Sequence, residues 1–236
     1  MPALQQLVLF DSDPGIDDAM ALAHLVCEPS INLKAVTSVF GNVDVTRATQ
    51  NALNLLARWN GRHIPVFKGA HNPLVIPPLP PPAFIHGRNG LGNIELPHAA
   101  RKAEAQDAPS AISRIARESN GKLRLIAVGP LTNLALALTL DPELVHHVHD
   151  VIVMGGSILE AGNINQWAEA NFYNDPDAAA AVFAADWPVT MVGLDVTHQI
   201  MLSAQHLDQL AGAQPVIGED LRAIAQLYLA FYRQRS

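Results

Sequence analysis

Four carboxylates lie within eight residues near the start of the sequence, at Asp11, Asp13, Asp17 and Asp18. Pro14-Gly15 predicts a sharp turn that folds Asp13 back beside the first turn of a helix. A helix N-terminus stabilises each negative charge by only about 0.3–1 kcal/mol, so crowding of the carboxylates raises their pKa values. A bound cation would offset the repulsion between these carboxylates. The alternative interpretation is a helix N-cap followed by solvated acids.

The donors on offer near this turn are oxygen atoms, with no cysteine and no pair of histidines close in sequence. Such donors favour a hard ion, calcium or magnesium, over zinc. His146, His147 and His149 resemble a metal site only by their number, and we expect them on the surface near a helix end. Gly129-Pro130 lacks the lysine that follows a phosphate-binding loop.

Short apolar runs alternate with helical stretches along the sequence. The strands and helices that they predict must position the carboxylates of residues 11–18. The predicted strands are residues 7–10, 33–39, 64–67, 123–128, 151–154 and 189–194. The predicted helices are residues 17–26, 44–59, 109–118, 131–140 and 176–185, with a mainly helical C-terminal forty residues. Residues 70–107 and 155–174 are predicted long loops. This alternation predicts a single α/β domain over residues 1–236, with a mostly parallel, Rossmann-like open sheet and helices on both faces.

Polar clusters follow several of the predicted strands. They comprise residues 11–18, Asn42, residues 129–133 and residues 154–171. Ligands of open α/β sheets bind outside the carboxyl ends of the strands. We therefore expect these clusters to meet at one edge of the sheet.

Composition narrows the classes of partner. The net charge is −7, from 15 basic and 22 acidic side chains, which argues against nucleic acid or an anionic membrane as the main partner. Neither a signal peptide nor a long apolar run is evident, so we expect a cytoplasmic protein. Cys27 is the single cysteine, and we expect it to be a small buried residue on the first helix.

Several motifs together resemble those of a known family. Residues 11–19, Asp-Ser-Asp-Pro-Gly-Ile-Asp-Asp-Ala, resemble the N-terminal signature of the inosine–uridine-preferring nucleoside hydrolases. Further similar segments are Val39-Phe40-Gly41-Asn42, residues 86–92, Gly129-Pro130-Leu131-Thr132-Asn133, Val153-Met154-Gly155-Gly156, Gly162-Asn163, Glu169, Asn171, Asp175-Pro176 and residues 193–198. The resemblance covers residues 7 to about 200 and implies a nucleoside hydrolase-like fold.

The resemblance implies a calcium site and a catalytic base. Asp13 and Asp18 would bind Ca²⁺ together with the backbone carbonyl of Val128. Asp13 would also accept a proton from the attacking water, as a carboxylate can. Asp17 would contact the metal environment and a ribose hydroxyl, and Asp11 would support the turn.

By the same resemblance, Asn42, Asn163, Glu169 and Asn171 would hold ribose hydroxyls, and Met154 would line the pocket. Amides and carboxylates suit hydroxyl groups, although an isolated Asn is also a common turn residue. His86 would approach the nucleobase and assist its departure. Without the resemblance, His86 is equally well explained as an exposed loop residue.

Two features depart from the family pattern. Ala170 stands where the family usually has an aromatic residue, which would loosen local packing. Family members also continue beyond the equivalent of Phe231-Tyr232-Arg233 to a His-Asp motif, which supplies a further metal ligand and a group near the leaving base. The sequence ends at Ser236 before such a motif, and we interpret it as either a partial chain or a natural short relative.

Three hypotheses follow. The first is a calcium-dependent hydrolase that splits purine or pyrimidine ribonucleosides into ribose and free base, acting as a homo-oligomer (dimer or tetramer). The second is an impaired relative that binds ribose or nucleosides without turnover. The third, a magnesium-dependent phosphohydrolase, would need a basic residue for phosphate, and Arg88 is the only one in the strand-end motifs.

Overall fold

Six parallel strands form one sheet in the order β3-β2-β1-β4-β5-β6. The computed structural model of the protein describes residues 5–233. The strands are β1 (Gln6–Ser12), β2 (Ile31–Ser38), β3 (Val66–Lys68), β4 (Leu123–Ala127), β5 (Val148–Met154) and β6 (Val189–Val192). The parallel pairing of all six strands confirms the predicted α/β architecture. Its physical reason is that near-continuous apolar strands are buried on both faces of such a sheet.

The strand order reverses direction at the centre of the sheet. From β1 the chain moves outward through β2 and β3, then returns to the other side of β1 and continues through β4, β5 and β6. Such a reversal opens a crevice at the carboxyl ends of the two central strands, where α/β proteins bind ligands. Here the crevice lies between the ends of β1 and β4.

Helices cover the sheet, and the five helices that were predicted with bounds are each present to within two residues. They are α1 (Ile16–Cys27), α2 (Val45–Arg58), α3 (Ala83–His86), α4 (Ala108–Glu118), α5 (Thr132–Leu140), α6 (Ala170–Asn174), α7 (Pro176–Ala184), α8 (Leu194–Thr197), α9 (Ala204–Ala213), α10 (Pro215–Ile224) and α11 (Gln226–Arg233). A 3₁₀ turn spans Pro142–His146. The short helices α3 and α6 lie within the two predicted long loops.

Two hydrophobic clusters lie on opposite faces of the sheet. Successive side chains of β1 alternate between them, as strand geometry requires. Leu9 belongs to the cluster that contains Ile112 of α4 and Leu134 of α5. Phe10 belongs to the cluster that contains Leu22 of α1. Because β1 is buried on both faces, the turn that follows it is held firmly in place.

Acidic caps fix where several helices begin. Asp44 accepts from the backbone N–H groups of Thr46 and Arg47, and so confirms the predicted start of the second helix. Asp175 accepts from Ala178 N and caps α7 in the same way. These bonds satisfy N–H groups that have no partner within the helix.

Three expectations need correction or comment. Cys27 is exposed, because it ends α1 and lines a groove between α1 and α9. The mainly helical character predicted for the C-terminal forty residues is present as α9, α10 and α11, with α10 ending at Ile224 and α11 beginning at Gln226, and residues 234–236 lie outside the described part. Among the described helices, none combines the length and apolar character needed to cross a bilayer.

Candidate active site

The aspartate turn after β1 brings two buried carboxylates together. Asp13 and Asp18 are 1% and 4% exposed. Asn42, which follows β2, joins them: its backbone N–H donates to Asp13 Oδ2 at 2.6 Å and its Nδ2 donates to Asp18 Oδ2 at 3.0 Å. Ser12 Oγ and Gly15 N also donate to Asp18, at 2.7 Å and 3.0 Å. The predicted return of the turn onto the helix start is therefore present.

Two glycines make room for the Asp13 carboxylate. A Cβ atom on Gly129 would lie 2.6 Å from Asp13 Oδ1, and one on Gly41 would lie 2.1 Å from Asp13 Oδ2. Gly41 also has a φ of +152°, a conformation that other residues rarely adopt. The loops after β2 and β4 can thus close on Asp13 from two sides only because both positions lack side chains.

Buried acidic oxygens without donors mark the site electrostatically. Among the described residues, Asp11 Oδ2 and Asp13 Oδ1 are the buried side-chain atoms that have no hydrogen-bond partner. Burial, followed by repulsion from Asp18, raises the pKa of Asp13 well above its usual range. Burial and repulsion from Asp17 raise the pKa of Asp18 to about 7. A divalent cation fits this arrangement, because it would pair with the unpartnered oxygen and relieve the repulsion.

The side-chain ligand set for such a cation is small. Within residues 5–233, no group of three or more His, Cys, Asp or Glu side chains is placed to hold a metal ion. Asp13 and Asp18 would therefore act with backbone or water oxygens. The carbonyl of Val128, predicted as a ligand, accepts from Asn171 Nδ2 at 2.9 Å. A carbonyl oxygen has two lone pairs, so this bond leaves one acceptor position.

Asp11 supports the turn from the centre of the sheet. Its Oδ1 accepts from Thr37 Oγ1 at 2.5 Å and from Asn133 Nδ2 at 2.7 Å. Burial raises the pKa of Asp11 to about 7 even though both bonds lower it. Asn133 also donates to Ser38 O and accepts from Ala70 N. It therefore joins the ends of β1, β2 and β3, a role that its motif alone does not indicate.

His86 is 6% exposed, and its interpretation as an exposed loop residue is wrong. Its Nδ1 accepts from Ile16 N at 3.2 Å and lies 3.8 Å from Asp17 Oδ1. Its ring centre is 5.7 Å from that of Tyr228 on α11. Burial lowers the pKa of His86, and a neutral ring that accepts at Nδ1 carries its proton on Nε2. Asp17 itself is largely exposed beside it.

Asn171 joins the ends of β4 and β5. Its Nδ2 donates to Val128 O at 2.9 Å and to Met154 O at 3.0 Å, and it lies 3.4 Å from Met154 Sδ. This amide therefore links the end of β5 to the end of β4, which borders the crevice. With its N–H groups used, Asn171 still offers its carbonyl oxygen as an acceptor.

Glu169 and Asn163 anchor the loop that follows β5. Glu169 is 2% exposed, and its Oε2 accepts from the backbone N–H groups of Gly156, Asn171 and Phe172. Burial raises the pKa of Glu169 although these bonds lower it. Asn163 is exposed, and its Oδ1 accepts from Ala170 N at 2.8 Å. In contrast to Glu169 and Asn171, Asn163 lies on the solvent side of the loop.

Comparison with known proteins agrees with this geometry. The family model described as "Inosine-uridine preferring nucleoside hydrolase" matches residues 8–236. A probable uridine nucleosidase 2 of Arabidopsis thaliana is 37% identical over 95% of this chain and 70% of its own length. The non-specific ribonucleoside hydrolase RihC of Salmonella paratyphi B is 41% identical over 86% of this chain and 65% of its own length. The chain thus spans about two thirds of the length of these relatives.

Solved structures match over nearly the whole chain. The plant nucleoside hydrolase PpNRh1 superposes with a TM-score of 0.93 at 36% identity, covering 97% of this chain and 72% of that one. The purine-preferring ribonucleoside hydrolase from Gardnerella vaginalis gives a TM-score of 0.94 at 33% identity, covering 98% and 74% of the two chains. The ordered motifs, the sheet and these matches agree, and the chain belongs to the inosine–uridine-preferring nucleoside hydrolase family.

Proposed function

We propose that this chain hydrolyses the N-glycosidic bond of ribonucleosides and releases ribose and the free base. The observation that carries the proposal is the buried Asp13 carboxylate, which has an unpartnered oxygen beside Asp18 at the crevice between β1 and β4. A carboxylate in this state has a raised pKa and is suited to accept a proton.

Calcium is the cation that we propose for this site, held by Asp13, Asp18 and the carbonyl of Val128. The donors are all oxygens, and calcium accepts irregular sets of carboxylate, carbonyl and water oxygens more readily than magnesium does. When bound, the ion would lower the pKa of water in the site.

Asp13 is the proposed general base. Asn42 N holds its Oδ2 at 2.6 Å, and the carboxylate would take a proton from the water as the water oxygen bonds to the anomeric carbon. The bond from that carbon to the base nitrogen breaks, and its electron pair stays with the base. His86 carries its proton on Nε2 and is the proposed donor of a hydrogen bond to the departing base.

The sugar would be held from several sides. Glu169, Asn171 and Asp17 offer acceptor oxygens, and Asn42 and Asn163 offer amides, as predicted from the sequence. Met154 at the end of β5 would line the pocket. Hydrogen bonds to ribose hydroxyls can also stabilise an oxocarbenium-like transition state, as in other glycoside hydrolysis.

The proposed substrates are purine and pyrimidine ribonucleosides. Relatives carry names that span both groups: uridine nucleosidase, non-specific ribonucleoside hydrolase and purine-preferring ribonucleoside hydrolase. A cytoplasmic location and a homo-oligomeric state also stay predictions, and the second is open to analytical ultracentrifugation.

The second candidate is a protein that binds ribose or nucleosides without turnover. One observation favours it: only two side-chain carboxylates converge on the proposed cation position within the described residues. A smaller ligand set would weaken cation binding and so lower catalysis more than sugar binding.

Release of base and reducing sugar from uridine and inosine tests the proposal. We expect release in the presence of calcium, loss after treatment with a chelator, and recovery when calcium is added back. Calorimetry with ribose runs in parallel. Ribose binding without base release would support the second candidate, whereas neither binding nor release would contradict both.

A further inference from the structure

Asp195, at the start of α8, accepts hydrogen bonds from the loop that follows the neighbouring strand β5. Its Oδ2 accepts from Ile158 N at 2.8 Å, and its Oδ1 accepts from Leu159 N at 2.7 Å and Glu160 N at 3.2 Å. All three N–H groups belong to the loop between β5 and α6, residues 157–168. These donors favour the carboxylate form and lower the pKa of Asp195.

Apolar packing contributes little to holding this loop. Ile158, Leu159 and Trp167 are 75%, 92% and 81% exposed. Burial of apolar surface is the main source of stabilisation for most segments, so a loop without it depends on its polar anchors. One side chain of the loop also lies near α8, since Glu160 Oε2 is 3.6 Å from His198 Nδ1.

The same loop leads to the proposed sugar ligands. Gly156, just before it, accepts from Leu194 N at 3.0 Å and donates to Glu169 Oε2 at 2.9 Å. From the middle of the loop, Asn163 Oδ1 accepts from Ala170 N, at the start of α6. Hydrogen bonds therefore link residues 193–195 to residues 158–160 and, through Gly156, to Glu169, while Asn163 lies in the same loop, three residues beyond Glu160.

We propose that Asp195 is a positioning residue, which holds residues 157–168 so that Asn163 and Glu169 are placed to bind ribose. The inference rests on the proposed function, because it takes ribose as the ligand of these two residues. Asp195 is not one of the residues proposed to bind the cation, the ribose or the base. Its effect should therefore appear in sugar affinity and KM, with kcat largely retained.

The test compares Asp195→Ala with a matched control, Glu28→Ala. Glu28 also accepts from a loop N–H, that of Ser30 at 3.0 Å, but between α1 and β2 at the opposite edge of the sheet. In Asp195→Ala we expect faster hydrogen exchange at the amides of residues 158–160. We also expect about 10-fold weaker ribose binding and an equally raised KM for uridine, with kcat within about 3-fold. Glu28→Ala should match the unmodified protein in every readout of the site.

Two further variants separate positioning from a general loss of structure. Asp195→Asn keeps one oxygen that can accept from some of the three N–H donors. Its KM should therefore lie between that of the unmodified protein and that of Asp195→Ala. In an Asn163→Ala background, Asp195→Ala should raise KM by less than it does alone, because residues that act through one contact are not additive.

The outcomes are distinct from those that test the hydrolase function. Unchanged exchange at residues 158–160, or unchanged ribose affinity in Asp195→Ala, overturns the positioning role even if hydrolysis is normal. If the unmodified protein binds ribose without releasing base, the hydrolase proposal fails while ribose affinity still decides the role of Asp195. If it neither binds ribose nor releases base, both proposals fail.

Discussion

Asp13 and Asp195 lie at the same edge of the sheet but in opposite surroundings. Asp13 is buried and keeps one oxygen without a partner among the described residues, and its pKa is raised. Asp195 is partly exposed, both of its oxygens accept from backbone N–H groups, and its pKa is lowered. A carboxylate whose oxygens all accept hydrogen bonds from the protein holds those donors in place. A buried carboxylate with an oxygen that accepts no hydrogen bond can still bind a ligand or a proton.

The comparison is tested most directly by Asp13→Asn. We expect base release to fall by about 10³-fold, because an amide cannot accept the proton. Thermal stability should stay equal or rise, since a buried charge that repels Asp18 is removed. A base-release assay and a thermal unfolding curve measure the two effects.

Asp177→Asn is the control for this substitution. Asp177 is an exposed acid in the first turn of α7, so its variant should retain full activity. Unchanged turnover in Asp13→Asn would remove Asp13 from the mechanism.

Gly129→Ala tests whether the position of the Asp13 carboxylate matters, because it moves that carboxylate without changing its chemistry. The added Cβ would lie 2.6 Å from Asp13 Oδ1, so the carboxylate must shift. A displacement near 1 Å can cost about 10²-fold in rate. Gly212→Ala in α9 is the matched control, because its Cβ meets no atom within 4 Å. Equal kcat/KM in the two variants would contradict the close approach.

The two kinds of carboxylate should also respond differently to pH. Burial raises the pKa of Asp11 and Asp18 to about 7, so the folded state holds protons that the unfolded state has released. In chelated protein this stabilisation is present at low pH and is lost as pH rises from about 4 to about 7.

Calcium should reverse that loss. An excess of about tenfold over its Kd adds roughly 1.4 kcal/mol of stability, and the gain should be larger at pH 8 than at pH 5, where protons compete for the carboxylates. Thermal unfolding at both pH values, with chelator or calcium, measures this. A Tm independent of pH and calcium would show that the buried acids are not the cation site.

The smallest effect on stability is expected for Asp141, whose carboxylate accepts hydrogen bonds from side-chain donors. Arg117 donates to it through Nε at 2.8 Å and Nη2 at 2.5 Å, and these bonds lower its pKa. Its contribution to stability is present above an unfolded pKa near 4 and is lost as pH falls through the lower folded value. Arg117→Met should reduce stability at pH 7 by less than calcium adds, and the difference should vanish in strong acid. Urea unfolding at pH 7 and pH 3 measures it.

Local pattern was sufficient to predict most of the fold. Apolar runs such as residues 7–10, buried on both faces, indicated a parallel sheet, and Asp44 marked a helix start through contacts only two and three residues away. The aspartate turn was equally accessible, because Pro14-Gly15 fixes it locally. These features depend on residues close together in the chain.

Contacts between distant residues were not accessible in the same way. His86 was open to two interpretations because its contact with Ile16 N joins residues 70 positions apart. Asn133 was not assigned a role because its partner Asp11 lies 122 positions earlier in the chain. The predicted burial of Cys27 was wrong, since the apolar character of α1 does not show how far the helices packed against it extend. Asp195 lies in a motif that was noticed, but its partners, residues 158–160, follow a different strand.

The central place of β1 also bears on how the chain folds during synthesis. Leu7 pairs on one side with Asn32, which is made soon afterwards, but on the other side with Leu123. One edge of β1 therefore stays unpaired until the chain has been made as far as β4, and unpaired strand edges invite association with other chains. The aspartate turn reaches its final geometry only after that pairing, so conditions that slow synthesis before Leu123 should increase the demand for chaperones.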